Sequence, residues 1–452
     1  MSNLRAMTPA RATADAIALG VLLVLGVMPL LAHADDVPMA TGLSLSDCIG
    51  TALQSNPRID ISGQSVVSAQ SSLRKIRSTY SPKLTLSAAE GLQGRGAVQT
   101  GDDSNHLEQA DATLRWTFWD SSRQDSTGQS RARLEAAEYS RDDAIRALVE
   151  QVATNYYSVL AAQELLGVAD LGVEYATQNL AQVRRRIEVG DAAAVEIHSA
   201  EDDLAQAQLD LIDARSSIRT ALAQLRNSMG VSMATDLTLS GEAGEWNADI
   251  PPLQTAFADA VRARPDILSA EAGIRAQQYA LSAAGAAGKP VYSLGGQASK
   301  PFDGWDAGKE DWSVSAQVSW ALLDGGASAA DRQSAEASLA SARATLLQMY
   351  NEVVLELENG LVELQRTGER VAAAEKSHEA ARAQLGAAQA RYQNGLAILL
   401  EVTQARRSFT SAGATRVRAR YEYSVALVAL HSAMGTLPVP GASTSDEEST
   451  YD

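Results

Sequence analysis

Two short stretches of this chain could do chemistry with charge, and both share one spacing. Glu196 stands six residues after Gly190, and Glu401 six residues after Gly395. In each, a glycine stops one helical pattern and a carboxylate opens the next. Such a carboxylate can meet the partial positive charge of a helix N-terminus. If several copies surround an opening, it can instead contribute to a ring of negative charge that favours cations. Tyr392, Gln404, and the residues following the glycines, Asp191 and Leu396, share this neighbourhood. Covalent chemistry has no such foothold. His106, His198, His378 and His431 are scattered, and His378 continues a helical seam as a core or wall residue rather than a ligand. Cys48 is the only cysteine, so no intrachain disulfide is possible. Within Leu45-Ser46-Asp47-Cys48-Ile49 it reads as a small buried helical residue. No H-E-x-x-H, C-x-x-C, phosphate loop or nucleophile elbow occurs. No catalytic residue, cofactor or metal site is expected.

The elements that position these turns occur twice. Asn56-Pro57-Arg58-Ile59 answers Arg264-Pro265-Asp266-Ile267, and Pro82 answers Pro290. Trp116 and Asp120 answer Trp320 and Asp324; Met229-Gly230 answers Met434-Gly435. The order and near-constant spacing of these pairs mean one fold built twice. Each copy opens with a helix that starts at a proline, where the missing N–H costs nothing, and stops before Pro82 or Pro290.

Two strand-like segments follow in each copy. Ala110, Ala112, Leu114, Trp116 and Phe118 alternate with Gln109, Asp111, Thr113, Arg115 and Thr117. In the second copy Trp312, Val314, Ala316, Val318, Trp320 and Leu322 alternate with Ser313, Ser315, Gln317 and Ser319. Weaker partner strands lie near Lys83–Gly91 and Val291–Lys300. Alternation over about ten residues suits a membrane-barrel strand with one face to lipid and one to a lumen. An ordinary soluble hairpin would explain the alternation. It would not explain why Trp116, Trp119, Trp305, Trp312 and Trp320, five of the six tryptophans, gather here, where a ring can be buried and its N–H stay wet.

A long proline-free segment follows, from about Ser121 to Val189. Ile145, Val152, Val159, Leu166, Val173, Leu180 and Ile187 recur every seventh residue, beside a seam of Leu148, Asn155, Ala162, Ala169, Ala176 and Val183. The second copy repeats this with Tyr350, Leu357, Leu364, Val371, His378, Leu385 and Tyr392. Sustained heptads predict a left-handed coiled coil, and a rod of this length reaches about 100 Å. After each tip glycine a shorter helix returns; Leu204, Leu211, Ile218 and Leu225 carry its heptad in the first copy. With 45% hydrophobic but only 5% aromatic residues, the composition also favours long helices over an α/β enzyme.

The expected organisation is a signal peptide over 1–34, a first repeat over 35–240, a second over 241–436 and a disordered acidic tail over 437–452. Arg5 and Arg11, the apolar run 16–32 and the Ala32-His33-Ala34 site carry the signal reading against that of an uncleaved anchor helix. Cys48 lies too far beyond that site to be a lipidated N-terminus. The net charge of −17, one unit more negative after cleavage, leaves no general affinity for nucleic acid. Nothing after residue 34 is apolar for long enough to cross a membrane as a helix. Membrane contact must come from strands, and four are too few to close a barrel. Unpaired strand edges are forbidden in hydrocarbon, so copies must pool their strands, and three would supply twelve. The fold class is thus mostly α with a small β part, in two tandem repeats that form a hollow assembly.

The Ala52-Leu53-Gln54-Ser55-Asn56-Pro57 opening, Arg391-Tyr392-Gln393-Asn394-Gly395 and Glu401-Val402-Thr403-Gln404-Ala405 resemble the TolC-like outer-membrane efflux proteins, over about Leu43 to Gly435. That resemblance implies a homotrimer with a twelve-stranded barrel in outer-membrane lipid of a Gram-negative bacterium and a periplasmic helical tunnel. It implies an export duct that docks a periplasmic adaptor and an inner-membrane ABC transporter or proton-driven pump. It further implies a periplasmic gate of tyrosine–acid–arginine links. Tyr392, Glu196 and Glu401 match family positions in it; Ala397 stands at the arginine position and Gln404 at a second acidic one, departures that imply a gate held differently or a looser one. Gly190, Asp191, Gly395 and Leu396 fall at the docking tips, and Trp116, Phe118, Trp119, Trp312 and Trp320 at the membrane interface. The absence of a lipidatable cysteine points to type I protein secretion, with drug or small-molecule efflux as the alternative. A periplasmic coiled-coil adaptor or scaffold is the reading of another class, and the duplicated strand pairs argue against it.

Overall fold

The computed structural model describes residues 42–94, 104–190, 193–241, 251–286, 288–303, 306–307 and 311–437. The signal segment, the acidic tail beyond 437, Asp191 and Trp305 lie outside them. The first repeat runs α1 (Leu45–Ser55), α2 (Pro57–Thr79), β1 (Lys83–Gly94), β2 (Ser104–Trp119), α3 (Arg123–Glu188) and α4 (Glu196–Met229). The second runs α5 (Leu253–Ala263), α6 (Pro265–Ala286), β3 (Val291–Asp303), β4 (Asp306–Ala307), β5 (Asp311–Ser319), α7 (Ala327–Gln393) and α8 (Leu399–Ala433).

Two expectations need correction. Neither repeat opens at its proline: a short helix, α1 or α5, precedes each proline-started helix. The first carries its own start signal, a capping box in which Ser44 and Asp47 bond reciprocally. Cys48 is fully buried in it, and burial, with Asp47 beside it, pushes the thiol up to about 12. Second, the last strand ends at Ser319, so Trp320 and Leu322 continue the sequence alternation without continuing the strand.

The strands form one antiparallel sheet in the order β1-β2-β3-β5, with the two-residue β4 pairing the far end of β3. Register puts Leu84 against Leu114, Leu114 against Gly296, and Gly296 against Val314. The apolar residues of all four strands therefore share one face, and Thr85, Thr113, Gln297 and Ser313 share the other. Leu84, Leu86, Trp312, Val314 and Val318 lie exposed on the apolar face.

The helices form a single layer of neighbours. Near the sheet its order is α2-α3-α6-α7; toward the far end it is α4-α3-α8-α7, because the 66-residue α3 and 67-residue α7 run through both. The companion seam predicted for α3 is the more deeply buried one, including Leu148, Asn155, Ala162, Ala176 and Val183.

Repeat-equivalent residues do equivalent work where these layers join. The indole N–H of Trp116 donates to Tyr80 O (3.1 Å) and that of Trp320 to Gly288 O (2.9 Å), tying each strand end to the preceding helix end. Asp120 accepts from Ser122, and Asp324 from Gly326 and Ser328, before α3 and α7 begin. The four donors around Asp324 hold its carboxyl at about 2. At the other junction Asn56 Nδ2 donates to Ser228 O (2.7 Å) and Arg264 Nη1 to Ala433 O (2.9 Å). Both capture an otherwise orphaned carbonyl at the end of a return helix. Burial disfavours the Arg264 charge, but Asp266 and Glu356 outweigh it and raise its pKa.

Gly230 ends α4 at φ +72, with Ser55 O only 2.6 Å and Asn56 Cα 2.7 Å from where a Cβ would stand. Gly230→Ala is expected to cost about 2–5 kcal/mol from left-handed strain plus backbone overlap. Gly190→Ala, at φ +81 in open space, should cost only about 1–2 kcal/mol. Denaturant midpoints of the two variants compare them directly, and equal losses would refute the junction's role.

Candidate functional site at the tip of the helical layer

The far end of the layer is built from the α3–α4 and α7–α8 turns. Gly190 (φ +81) and Gly395 (φ +70) end the rods, and their N–H groups donate back to Ile187 O and Tyr392 O. Leu396 N reaches Arg391 O (2.8 Å), closing the second turn by the usual helix-end bond. A Cβ at either glycine would meet nothing within 4 Å, and Val189, Val195, Leu396, Ile398 and Leu400 are exposed around them.

Beneath the turns, Leu180, Val183, Leu385, Tyr392, Leu399 and Val402 make a buried apolar cluster from both repeats. Tyr392 lies inside it at 3% exposure, with the Arg186 guanidinium 4.5 Å from its ring centroid. Among the described residues its hydroxyl has no hydrogen-bond partner and makes no link to an acid. Glu401 instead pairs with Arg391 (3.1 Å), which also donates to Leu396 O. The arginine that faces Glu401 thus comes from the end of α7. This pair is exposed and by itself worth at most about 1 kcal/mol. Glu196, half-buried, is the first residue of α4, and Gln404 is exposed on α8. His378 stacks on Phe409 at 5.0 Å; burial, then Arg416 and Arg382, hold its pKa down.

The strongest link at this end involves residues that sequence reasoning missed. Asp203 on α4 is 1% exposed and accepts from Thr403 Oγ1 (2.8 Å) and Arg407 Nη2 (2.7 Å) on α8. It also pairs at 2.7 Å with Arg406, itself only 6% exposed. Arg407 lies 3.7 Å from Asp202 as well. At the repeat spacing of the tips Glu201-Asp202 answers Arg406-Arg407, a pattern that marks the two helix faces but not Asp203 itself, whose counterpart is Ser408. Opposite charges at equivalent positions are what two facing return helices need.

At the other end, Trp116, Phe118 and Trp119 stand where β2 meets the helices; Trp116 is in ring contact with Phe118, and Phe118 and Trp119 each with Tyr292. Trp320 holds the matching place after β5, whereas Trp312 lies toward the opposite end of the sheet and is 78% exposed. Aromatic residues thus flank both ends of the apolar face.

A sheet whose apolar residues gather on one face, continuous with rods of about 100 Å, defines the subunit of a membrane channel-tunnel. The chain belongs to the outer membrane efflux protein family, whose model it matches over residues 48–231 and 257–436. It is similar to nodulation protein T of Rhizobium leguminosarum bv. trifolii, 24% identical over 85% of this chain and 82% of that protein. It also resembles the solvent efflux pump outer membrane protein SrpC of Pseudomonas putida, 26% identical over 64% of this chain and 62% of that one. The solved structure of CusC superposes with a TM-score of 0.75 at 19% identity, over 86% of this chain and 91% of that chain. The protein is an outer-membrane export channel of a Gram-negative bacterium and not an enzyme.

Proposed function

We propose that three copies close into one conduit that carries cargo from a periplasmic adaptor and an inner-membrane pump to the exterior. The observation that carries this is the pair of unfinished edges. β1 and β5 each have one neighbour in the sheet, and the helical layer ends in α2 and α4 on one side and α7 on the other. Both sides expose apolar residues: Ile61, Val67, Leu209 and Ile212 on one, Leu347, Leu355 and Val362 on the other. Edges that match in kind but not in surface pair head to tail and close into a ring.

The tips are the docking site in this reading, and the cargo is small molecules moved by a proton-driven pump. The solvent-efflux relative supports that cargo class. Type I protein secretion is the second reading, supported by the lack of a cysteine near the expected cleavage site. Replacing both Gly190 and Gly395 with valine forces β-branched residues into positive φ. The double variant should insert and assemble as wild type, yet lose export and in-cell crosslinking to the adaptor. Normal export with normal crosslinking would move docking to the tunnel wall. The inner-membrane protein that co-purifies after crosslinking separates the two cargo readings.

A further inference from the structure

A cavity of about 930 Å³ opens at the periplasmic rim of the sheet, between the end of α2, the end of β2, the start of α3 and α6. Its walls combine aromatic surface and cations with a single carboxylate, Asp120, which already accepts from Ser122 N and Oγ. Tyr80, Phe118, Trp119 and Tyr279 supply aromatic surface, and Arg77, Arg123 and Arg131 supply three exposed cations. Among the described residues none of these arginines is in an ion pair, which is notable in a chain of net charge −17. Arg123 is held with its guanidinium 4.9 Å from the Tyr80 ring centroid, and the Tyr80 carbonyl is fixed by the Trp116 indole.

The back wall is equally specific. A Cβ on Gly128 would stand 2.7 Å from Tyr279 Cε1, so the bare glycine is what lets that ring lie against α3. Gln124, Thr127, Gly128 and Arg131 follow helical spacing and present one face of α3 to the cavity. The cavity lies across α3, between α2 and α6 of one chain, with its α2 wall on the side where a neighbouring copy would join.

Its level decides the occupant. Phe118 continues the apolar lipid face of β2, and the helices beyond it stand in the periplasm, so the cavity sits at headgroup height of the periplasmic leaflet. Aromatic rings there pack on glycerol and the upper acyl chain, while clustered arginines draw a phosphate. We propose that this cavity binds the headgroup of an anionic glycerophospholipid, one per chain, seating the channel at a fixed depth.

The test titrates the delipidated, assembled protein in neutral detergent with phosphatidylglycerol or phosphatidylcholine and counts bound lipid by native mass spectrometry. Wild type should prefer phosphatidylglycerol. Changing Arg77, Arg123 and Arg131 together to glutamine should erase that preference, at about fivefold per arginine, while lysine at all three positions keeps most of it. Arg131→Gln alone gives a smaller loss and guards against failure of the triple variant to assemble. Unchanged preference in the glutamine variants would overturn the proposal. So would displacement of the lipid by sn-glycerol 3-phosphate at the lipid's own concentration, which would make this a site for free phosphate compounds.

Discussion

Asp203→Asn is expected to uncouple the two return helices at the tip and open the channel. The substitution keeps the side chain's size but removes the charge that Arg406 and Arg407 share. Arg407 is 60% exposed and can turn to water or to Asp202, but Arg406 is 6% exposed and has no such exit. Its Nη1 already lacks a partner among the described residues. Leaving a buried cation unpaired costs about 3–5 kcal/mol, enough to favour separation of α4 from α8. Planar-bilayer recordings should show higher conductance, and trypsin should begin to cut after Arg406. The double variant Asp203→Leu with Arg406→Met removes both charges and should sit much nearer wild type in stability. Wild-type conductance and protease resistance in Asp203→Asn would assign the network to packing alone. In the same recordings Glu401→Ala should lower cation selectivity if three copies of that carboxylate ring the aperture; unchanged selectivity would leave Glu401 as the partner of Arg391 and a helix-start charge.

Val314→Arg and Ser313→Arg are neighbours in β5 and should behave oppositely. Val314 lies on the apolar face opposite Gly296, and Ser313 on the polar face opposite Gln297. A lipid-facing arginine near the middle of a barrel strand costs about 2–4 kcal/mol, whereas lumen substitutions chiefly tune selectivity. Pooling would raise the penalty further, because each variant chain brings its own copy into one barrel. Refolding into phospholipid vesicles across a urea series should show a large loss for Val314→Arg and little for Ser313→Arg. The reverse order would mean the lumen and lipid faces have been exchanged.

The local architecture was legible in the residues because it rests on short-range rules. Proline at Pro57 and Pro265 can start a helix but cannot sit within one, glycine at Gly190 and Gly395 accepts the positive φ that ends one, and alternation from Gln109 to Phe118 suits a strand with two unlike faces. The duplication was legible because a fold built twice must reuse these signals at the same spacing. That α1 and α5 stand as separate helices before the prolines escaped notice, although Cys48 read as helical, because eleven residues carry too few turns for their periodicity to stand out.

What only the tertiary structure decided is which polar residues face one another. Tyr392 and Glu401 share a turn region; the fold packs Tyr392 in an apolar cluster and pairs Glu401 with Arg391 within the chain. Asp203 and Arg406 stand two hundred residues apart and look like ordinary solvated charges on helix faces. Their burial goes with the apolar cluster beside them, in which Leu180 and Val183 of α3, Ala200 of α4, and Val402 and Ala405 of α8 pack together. The same holds for the arginines at the membrane rim, where Gly128 admits Tyr279 and so shapes a cavity. Heptad spacing specifies that helices meet along a seam; which charges the meeting encloses depends on side chains from segments that only the completed fold brings together.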